Sequence, residues 1–256
     1  MLAPVLLLPR ITAIADEAGE ILLKHYAGTV QVTTKSDSSP VTAADEEAEA
    51  LILERLRLLT PGIPVVAEEE VAAGRMPSIT ESSFWLVDPL DGTREFISRN
   101  GEFTVNIGLI VDGLPLMGVV TAPARGIAWW GALGHGATRR EGGEVRQIAA
   151  RRRPRKGAVA VASRSHRDEA TNAWLEEQGI TETVSAGSSL KFCLLAEGQA
   201  DVYPRFGPTM EWDTAAGHAV LRAAGGRVRT VDGAPFTYAK PDFRNPGFIA
   251  EGAQGV

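Results

Sequence analysis

Apolar positions recur at helical spacing over residues 9–27, where Ile11, Ile14, Ala15, Ala18 and Leu22 share one face with His25, and the pattern stops at Gly28. A second helical stretch carries Ala48, Leu51, Ile52, Leu56 and Leu59. It opens on Thr42 and Asp45 at the spacing of a capping box and closes at Thr60-Pro61-Gly62. Residues 63–67 and 84–87 are short apolar runs, and each ends on carboxylates. The texture then turns to β. Residues 105–111, 117–121 and 127–130 are separated by turns at Asp112-Gly113 and Pro123-Ala124-Arg125-Gly126, which predicts an antiparallel meander. Beyond it the chain alternates. Residues 159–162, 183–186 and 200–203 are strand-like, while 168–178, 190–197 and 214–224 are helical, the last closing at Gly225-Gly226. The expectation is an α/β fold with an α+β first half: a single catalytic domain over 1–256, with sub-lobes near 1–145 and 146–256 and the site at their junction.

Composition narrows the class. A chain of 256 residues with 44% hydrophobic and 23% charged residues has a core to bury. The formal net charge of −6 argues against nucleic acid as a partner. The single cysteine, Cys193, excludes an intrachain disulfide and fits a reducing compartment. Residues 1–9 are apolar but too short to span a bilayer and have no basic region before them, and no later run reaches ~18 apolar residues. The expected location is cytoplasmic, with peripheral association at the inner face of the membrane left open and no stable insertion. The basic run over 151–156 reads as a solvated connector.

The chemistry gathers at acidic positions. Glu68-Glu69-Glu70 follows one predicted strand, Asp88 and Asp91 follow another, and Asp213 stands at a predicted helix start. Hard cations such as Mg²⁺ take carboxylate and carbonyl oxygens and keep water and phosphate as further ligands. Two aspartates three residues apart in a proline-containing loop aim both side chains, and the carbonyl between them, at one pocket. Such close like charges repel unless a cation neutralises them. Gly92-Thr93 open a short helical segment whose first amides suit an anion. Each aspartate alone is also a good turn or capping residue; the three motifs together point to metal and phosphate. The four histidines lack zinc-ligand spacing, His218 reads as a packed or hydrogen-bonded residue, and His166 near Ser163 and Ser165 lacks the flanking glycines of a nucleophile elbow.

These motifs resemble those of the inositol monophosphatase superfamily of lithium-sensitive phosphatases. The resemblance runs nearly end to end, through Lys35-Ser36, residues 40–45, Ala67-Glu68-Glu69, 85–107, 163–166, 187–193, 203–208, 212–220 and 245–248. The metal motifs specify the superfamily; residues 94–103 and the second-half segments resemble its bisphosphate nucleotidase branch. Ala67 departs slightly, standing where the family more often has glycine or serine.

The resemblance implies a layered α-β-α-β-α sandwich of the inositol monophosphatase and fructose-1,6-bisphosphatase type, with two or three Mg²⁺ per site. Glu68, Asp88 and the Leu90 carbonyl would hold one metal; Asp88, Asp91 and Asp213 would hold a second. Asp45 with Thr93 would orient and deprotonate the attacking water, supported by Glu69, and the amides of Gly92 and Thr93 would bind the scissile phosphate. Ser163, Arg164, Ser165, His166, Gly187, Ser188 and Ser189 would line the nucleoside side, with Lys191 nearby. Arg205 stands where the inositol branch usually has a hydroxyl-accepting glutamate, and a guanidinium suits a second phosphate. The implied reaction is hydrolysis of the 3'-phosphate of adenosine 3',5'-bisphosphate to AMP, clearing a by-product of sulfate assimilation, by a monomer or homodimer. An inositol or sugar monophosphatase is the alternative within the class. A two-carboxylate glycoside hydrolase is the remote one, and a non-catalytic binding module the third.

Overall fold

The computed structural model describes residues 4–28, 32–34, 40–79, 82–163 and 168–253. Helix α1 (Pro4–Ala27) is followed by a small hairpin, β1 (Val32–Thr34) and β2 (Pro40–Thr42), and by α2 (Ala43–Leu59). Next come β3 (Val65–Ala67), α3 (Glu68–Ala72), β4 (Ser83–Asp91), α4 (Thr93–Ile97), β5 (Thr104–Val111) and β6 (Leu114–Ala122). The meander continues through β7 (Ile127–Ala132), β8 (Gly136–Glu141) and β9 (Glu144–Ile148). The second half holds β10 (Val159–Ser163), α5 (Glu169–Glu177), β11 (Glu182–Ala186), α6 (Leu190–Ala196), β12 (Val202–Arg205) and β13 (Thr209–Met210). It ends with α7 (Trp212–Ala223), β14 (Arg227–Thr230), β15 (Arg244–Asn245) and β16 (Phe248–Glu251).

Among the described residues, β3 to β9 form a seven-stranded sheet in chain order, with β3 parallel to β4 and the rest antiparallel. A five-stranded mixed sheet runs β11-β10-β12-β16-β14. Helices α1 and α2 cover one face of the larger sheet, and α7 covers the other. Helices α6 and α7 are shared with the smaller sheet, whose outer face is closed by α5 through Leu175 against Ala160, Val202 and Ile249. The order of layers is therefore α-β-α-β-α, as expected.

Close approach of α7 to the large sheet depends on three glycines. Gly108, Gly118 and Gly131 are paired neighbours across β5, β6 and β7. A methyl group on Gly118 would lie 2.7 Å from the Ala216 carbonyl oxygen, and one on Gly108 would lie 2.9 Å from the Ala216 nitrogen. With alanines facing glycines the helix lies flat on the strands, and its first turn is brought to the end of β4.

Two boundaries differ from the pattern in the sequence. Helix α1 begins at Pro4 and carries Pro9 inside it, because burying Leu7, Leu8 and Ile11 outweighs the one backbone bond that Pro9 cannot donate. Strand β4 runs on to Asp91, so Asp88 and Asp91 are strand residues rather than loop residues.

Candidate active site

Residues three apart on a regular strand point to opposite faces. In β4, Asp88 pairs with Asn106 and Asp91 pairs with Thr104, so one extra residue is accommodated between them as a bulge. The two partners are two residues apart on β5, and the bulge thereby turns both aspartates to one side. Pro89, which has no N–H to give to a ladder, sits inside the irregularity. The Asp88 carboxylate is buried and its Oδ1 accepts the Leu90 amide at 3.0 Å. The Thr93 hydroxyl donates to the Leu90 carbonyl at 3.4 Å.

Neighbouring elements deliver the other acids. Strand β3 lies parallel to β4 with Ala67 beside Val87, so Glu68, the first residue of α3, stands next to Asp88. The start of α3 is fixed by buried Glu49 of α2, whose two oxygens accept the amides of Glu69 and Glu70 at 2.8 and 2.7 Å. Asp213 lies in the first turn of α7, and its Oδ2 accepts the Met210 amide at 2.8 Å.

Burial pushes the Asp88 carboxyl well above the usual range, and the charges of Glu68, Asp91 and Asp213 push it further. Asp213 is raised by burial and then by Asp91 and Glu68. Asp91 is raised by burial, against the pull of Lys191 and the Ser189 hydrogen bond. These acids therefore repel one another across one site, the condition a divalent cation relieves. Among the described residues no three His, Cys, Asp or Glu side chains enclose an ion by themselves. The donor set is all oxygen and partial, which fits Mg²⁺ that retains water and phosphate, and does not fit a closed nitrogen–sulfur zinc site.

These acids border a cleft of about 290 Å³. Its lining carries the acids Glu68, Asp91, Glu95 and Asp213 together with the cations Arg94, Lys191 and Arg205. Gly92, Thr93, Gly187 and Ser188 are also part of the lining. Gly92 adopts φ 91° and precedes α4, and any side chain there would run into Ser188. The Lys191 ammonium donates to the Ser188 carbonyl at 2.6 Å; burial pulls its pKa down to about 8, partly offset by Asp91. Arg205 donates one Nη to the Pro208 carbonyl at 3.2 Å, while its buried Nε has no partner among the described residues.

Other expected site residues are not on the cleft lining, although α2, which carries Asp45, directly follows β2, and β2 packs on α4. Asp45 is the third residue of α2, and its Oδ2 accepts the Thr42 amide and hydroxyl at 2.8 and 2.7 Å, closing the capping box read from the sequence. Glu69 borders a separate hollow between α2 and α3, with Glu49, Arg57 and Arg75. Ser163 ends β10 beside Ala186, while Arg164, Ser165 and His166 lie outside the described residues. His218 packs as expected, with Nδ1 3.0 Å from the Tyr238 hydroxyl.

Two contributors were not singled out from the sequence, and a third, Ser189, was expected on the nucleoside side but is buried and not on the cleft lining. Glu49 follows Asp45 by one helical turn, the one signal that it shares the inward face. Glu102 accepts the Gly187 amide at 2.8 Å and the Arg125 guanidinium at 2.8 Å, holding the loop before α6. Ser189 donates toward Asp91 Oδ2 at 3.0 Å and the Asp213 carbonyl at 2.9 Å. These last two act across the sheets, and no local pattern marks those bonds.

The chain is similar to known proteins over nearly its whole length. The model of the inositol monophosphatase family matches residues 7–252. The 3'(2'),5'-bisphosphate nucleotidase CysQ of Escherichia coli O6:H1 is 49% identical over 246 residues, covering 94% of this chain and 98% of that protein. The crystal structure of CysQ from Bacteroides thetaiotaomicron superposes with a TM-score of 0.80 at 37% identity, over 96% of each chain. Inositol monophosphatase from Anabaena superposes with a TM-score of 0.74 at 28% identity, over 95% of this chain and 90% of that one.

Proposed function

This chain belongs to the inositol monophosphatase family, and from that premise we propose that it is a 3'(2'),5'-bisphosphate nucleotidase removing the 3'-phosphate of adenosine 3',5'-bisphosphate. One observation carries the choice of substrate: a single cleft is lined by the acids Glu68, Asp91 and Asp213 and also by the cations Arg94, Lys191 and Arg205. A monophosphate of a neutral polyol offers no second anion for these cations. A nucleoside bisphosphate places one phosphate by the acids and the other by the cations, where a guanidinium can bind it through two bonds.

Glu68, Asp88, Asp91, Asp213 and the Leu90 carbonyl would hold two or three Mg²⁺. Bound there, Mg²⁺ supplies neutralisation of the phosphoryl oxygens and acidification of water. The chain's own groups do the rest. The amides of Gly92 and Thr93 face the scissile phosphate at the start of α4. Asp45 and Thr93 orient the attacking water and take its proton. The water oxygen bonds to phosphorus as the bond to ribose O3' breaks, and O3' leaves with a proton from solvent. Burial of the acids keeps bulk water from screening these charges. Ser188 and Gly187 border the nucleoside, and Lys191 with Arg205 fixes its 5'-phosphate.

The deciding experiment measures phosphate release with Mg²⁺ from adenosine 3',5'-bisphosphate, inositol 1-phosphate and fructose 1,6-bisphosphate side by side. The nucleotide is expected to have the highest kcat/KM. Preference for inositol 1-phosphate would overturn the substrate and leave the metal chemistry standing.

A further inference from the structure

Serine is among the best residues for capping a helix, because its hydroxyl accepts an amide from the first turn. Ser189 occupies that position at the start of α6 and makes no such bond. The hydroxyl is turned away instead, inside the protein at 1% exposure, with Asp91 Oδ2 at 3.0 Å and the Asp213 carbonyl oxygen at 2.9 Å. Both neighbours are acceptors, and a hydroxyl has one proton, so the bond is shared between them. The Ser189 amide also stabilises the Asp91 carboxylate. The preceding residue works in the same direction: Ser188, held at φ 48°, donates toward the carbonyls of Asp91 and Glu102, each at 2.8 Å.

The consequence is architectural. Asp91 belongs to β4 of the large sheet and Asp213 to α7, and they repel each other. A buried hydroxyl bridges the side chain of one and the backbone of the other. We infer that Ser189 is a positioning residue that sets the separation of Asp91 and Asp213, and so the affinity of their site for Mg²⁺. The inference rests on the metal-dependent reading of the cleft. Without the strut, repulsion drives the two acids apart in the substrate-free protein, and Mg²⁺ must first draw them together.

The test uses the full chain with Ser189→Ala and Ser189→Cys. The cysteine keeps the volume but donates weakly, so it separates hydrogen bonding from packing. Folding of each variant is checked by thermal melting. Mg²⁺ is then titrated calorimetrically into substrate-free protein, and turnover is followed against Mg²⁺ concentration. Loss of one hydrogen bond to a charged group is expected to raise the Mg²⁺ dissociation constant about tenfold in both variants. Half-saturation of turnover should shift by the same factor, with KM for adenosine 3',5'-bisphosphate at saturating Mg²⁺ within about twofold of wild type. Wild-type Mg²⁺ affinity in both variants overturns the inference, as does a defect confined to Ser189→Ala, which would be packing alone. A wild-type protein that neither binds Mg²⁺ nor hydrolyses the nucleotide overturns the reading of the cleft itself, and the inference with it.

Discussion

Glu49 accepts the backbone amide of Glu69 at 2.8 Å, and its second oxygen takes the amide of Glu70. One buried carboxylate thus anchors the turn on which Glu68 is carried, at a cost visible in its own pKa, which burial raises to about 7 despite the two amide bonds. Glu49→Gln presents an NH₂ group to one of the two donors and leaves that donor unpaired. Loss of about 1–3 kcal/mol of stability is expected in urea denaturation. Turnover should fall as well, because Glu68 loses its fixed start. Wild-type stability in the glutamine variant would mean that the two bonds hold nothing in place.

Asp88 is the acid that burial and the charges of Glu68, Asp91 and Asp213 all act against. Asp88→Asn keeps the shape and removes the charge, which relieves repulsion in the metal-free protein. The expected result divides stability from function. Without metal, the variant melts at or above the wild-type temperature, yet turnover with Mg²⁺ falls ~100-fold or more. Chelation of the wild type should abolish activity, and added Mg²⁺ should restore it and raise Tm by mass action. Near-normal kcat in Asp88→Asn would refute the metal role.

Much of this was readable locally. The helical faces of α1 and α2, the Thr42–Asp45 capping box and the β5-to-β7 meander all follow from short-range spacing, and the carboxylate motifs were each in view. What the sequence hides has a physical cause. Strands β8 and β9 carry Thr138, Arg139, Arg140, Arg146 and Gln147, so their apolar alternation is weak and their pairing depends on β7. The odd spacing of Asp88 and Asp91 reads as a loop, because a bulge shows only in the register against β5. Glu49, Glu102 and Ser189 act through partners distant in sequence, and a hydrogen bond across layers leaves no periodic trace.

Lys191 gives the cleft a pH dependence. Burial lowers its pKa from 10.5 to about 8, so the free enzyme carries this cation below pH 8 and loses it above. Because kcat/KM reports the free enzyme, its value for adenosine 3',5'-bisphosphate should decline above pH 8. Lys191→Met should cost about tenfold at pH 7 and remove that decline. Arg205→Met should lower kcat/KM and move the decline to higher pH, since the guanidinium does not itself titrate but its charge helps to lower the Lys191 pKa. Adenosine 3'-monophosphate, which lacks the second phosphate, should be much less sensitive to either change. Equal losses on both nucleotides would show that these cations do not read the 5'-phosphate.

His218 stores a sensitivity to acid. Its ring is buried at 4% exposure against Tyr238 and Phe236, and burial, aided by the charges of Arg222 and Lys240, lowers its pKa from 6.5 to about 3. Between those values the unfolded chain takes up a proton that the folded chain refuses. Stability therefore falls as pH drops below 6.5. At pH 5 the difference is 1.5 pH units, or about 2 kcal/mol. Glu49 acts in the opposite sense over 4.5 to 7, where the folded protein binds the extra proton, so the net curve mixes the two. Comparison with His218→Asn isolates the histidine, because asparagine can still hydrogen-bond near the Tyr238 hydroxyl but does not titrate. Urea denaturation at pH 7 and pH 5 should show the wild type losing about 2 kcal/mol more than the variant between the two conditions. Identical losses would mean that His218 accepts its proton without leaving the fold, and that the buried ring does not oppose charging.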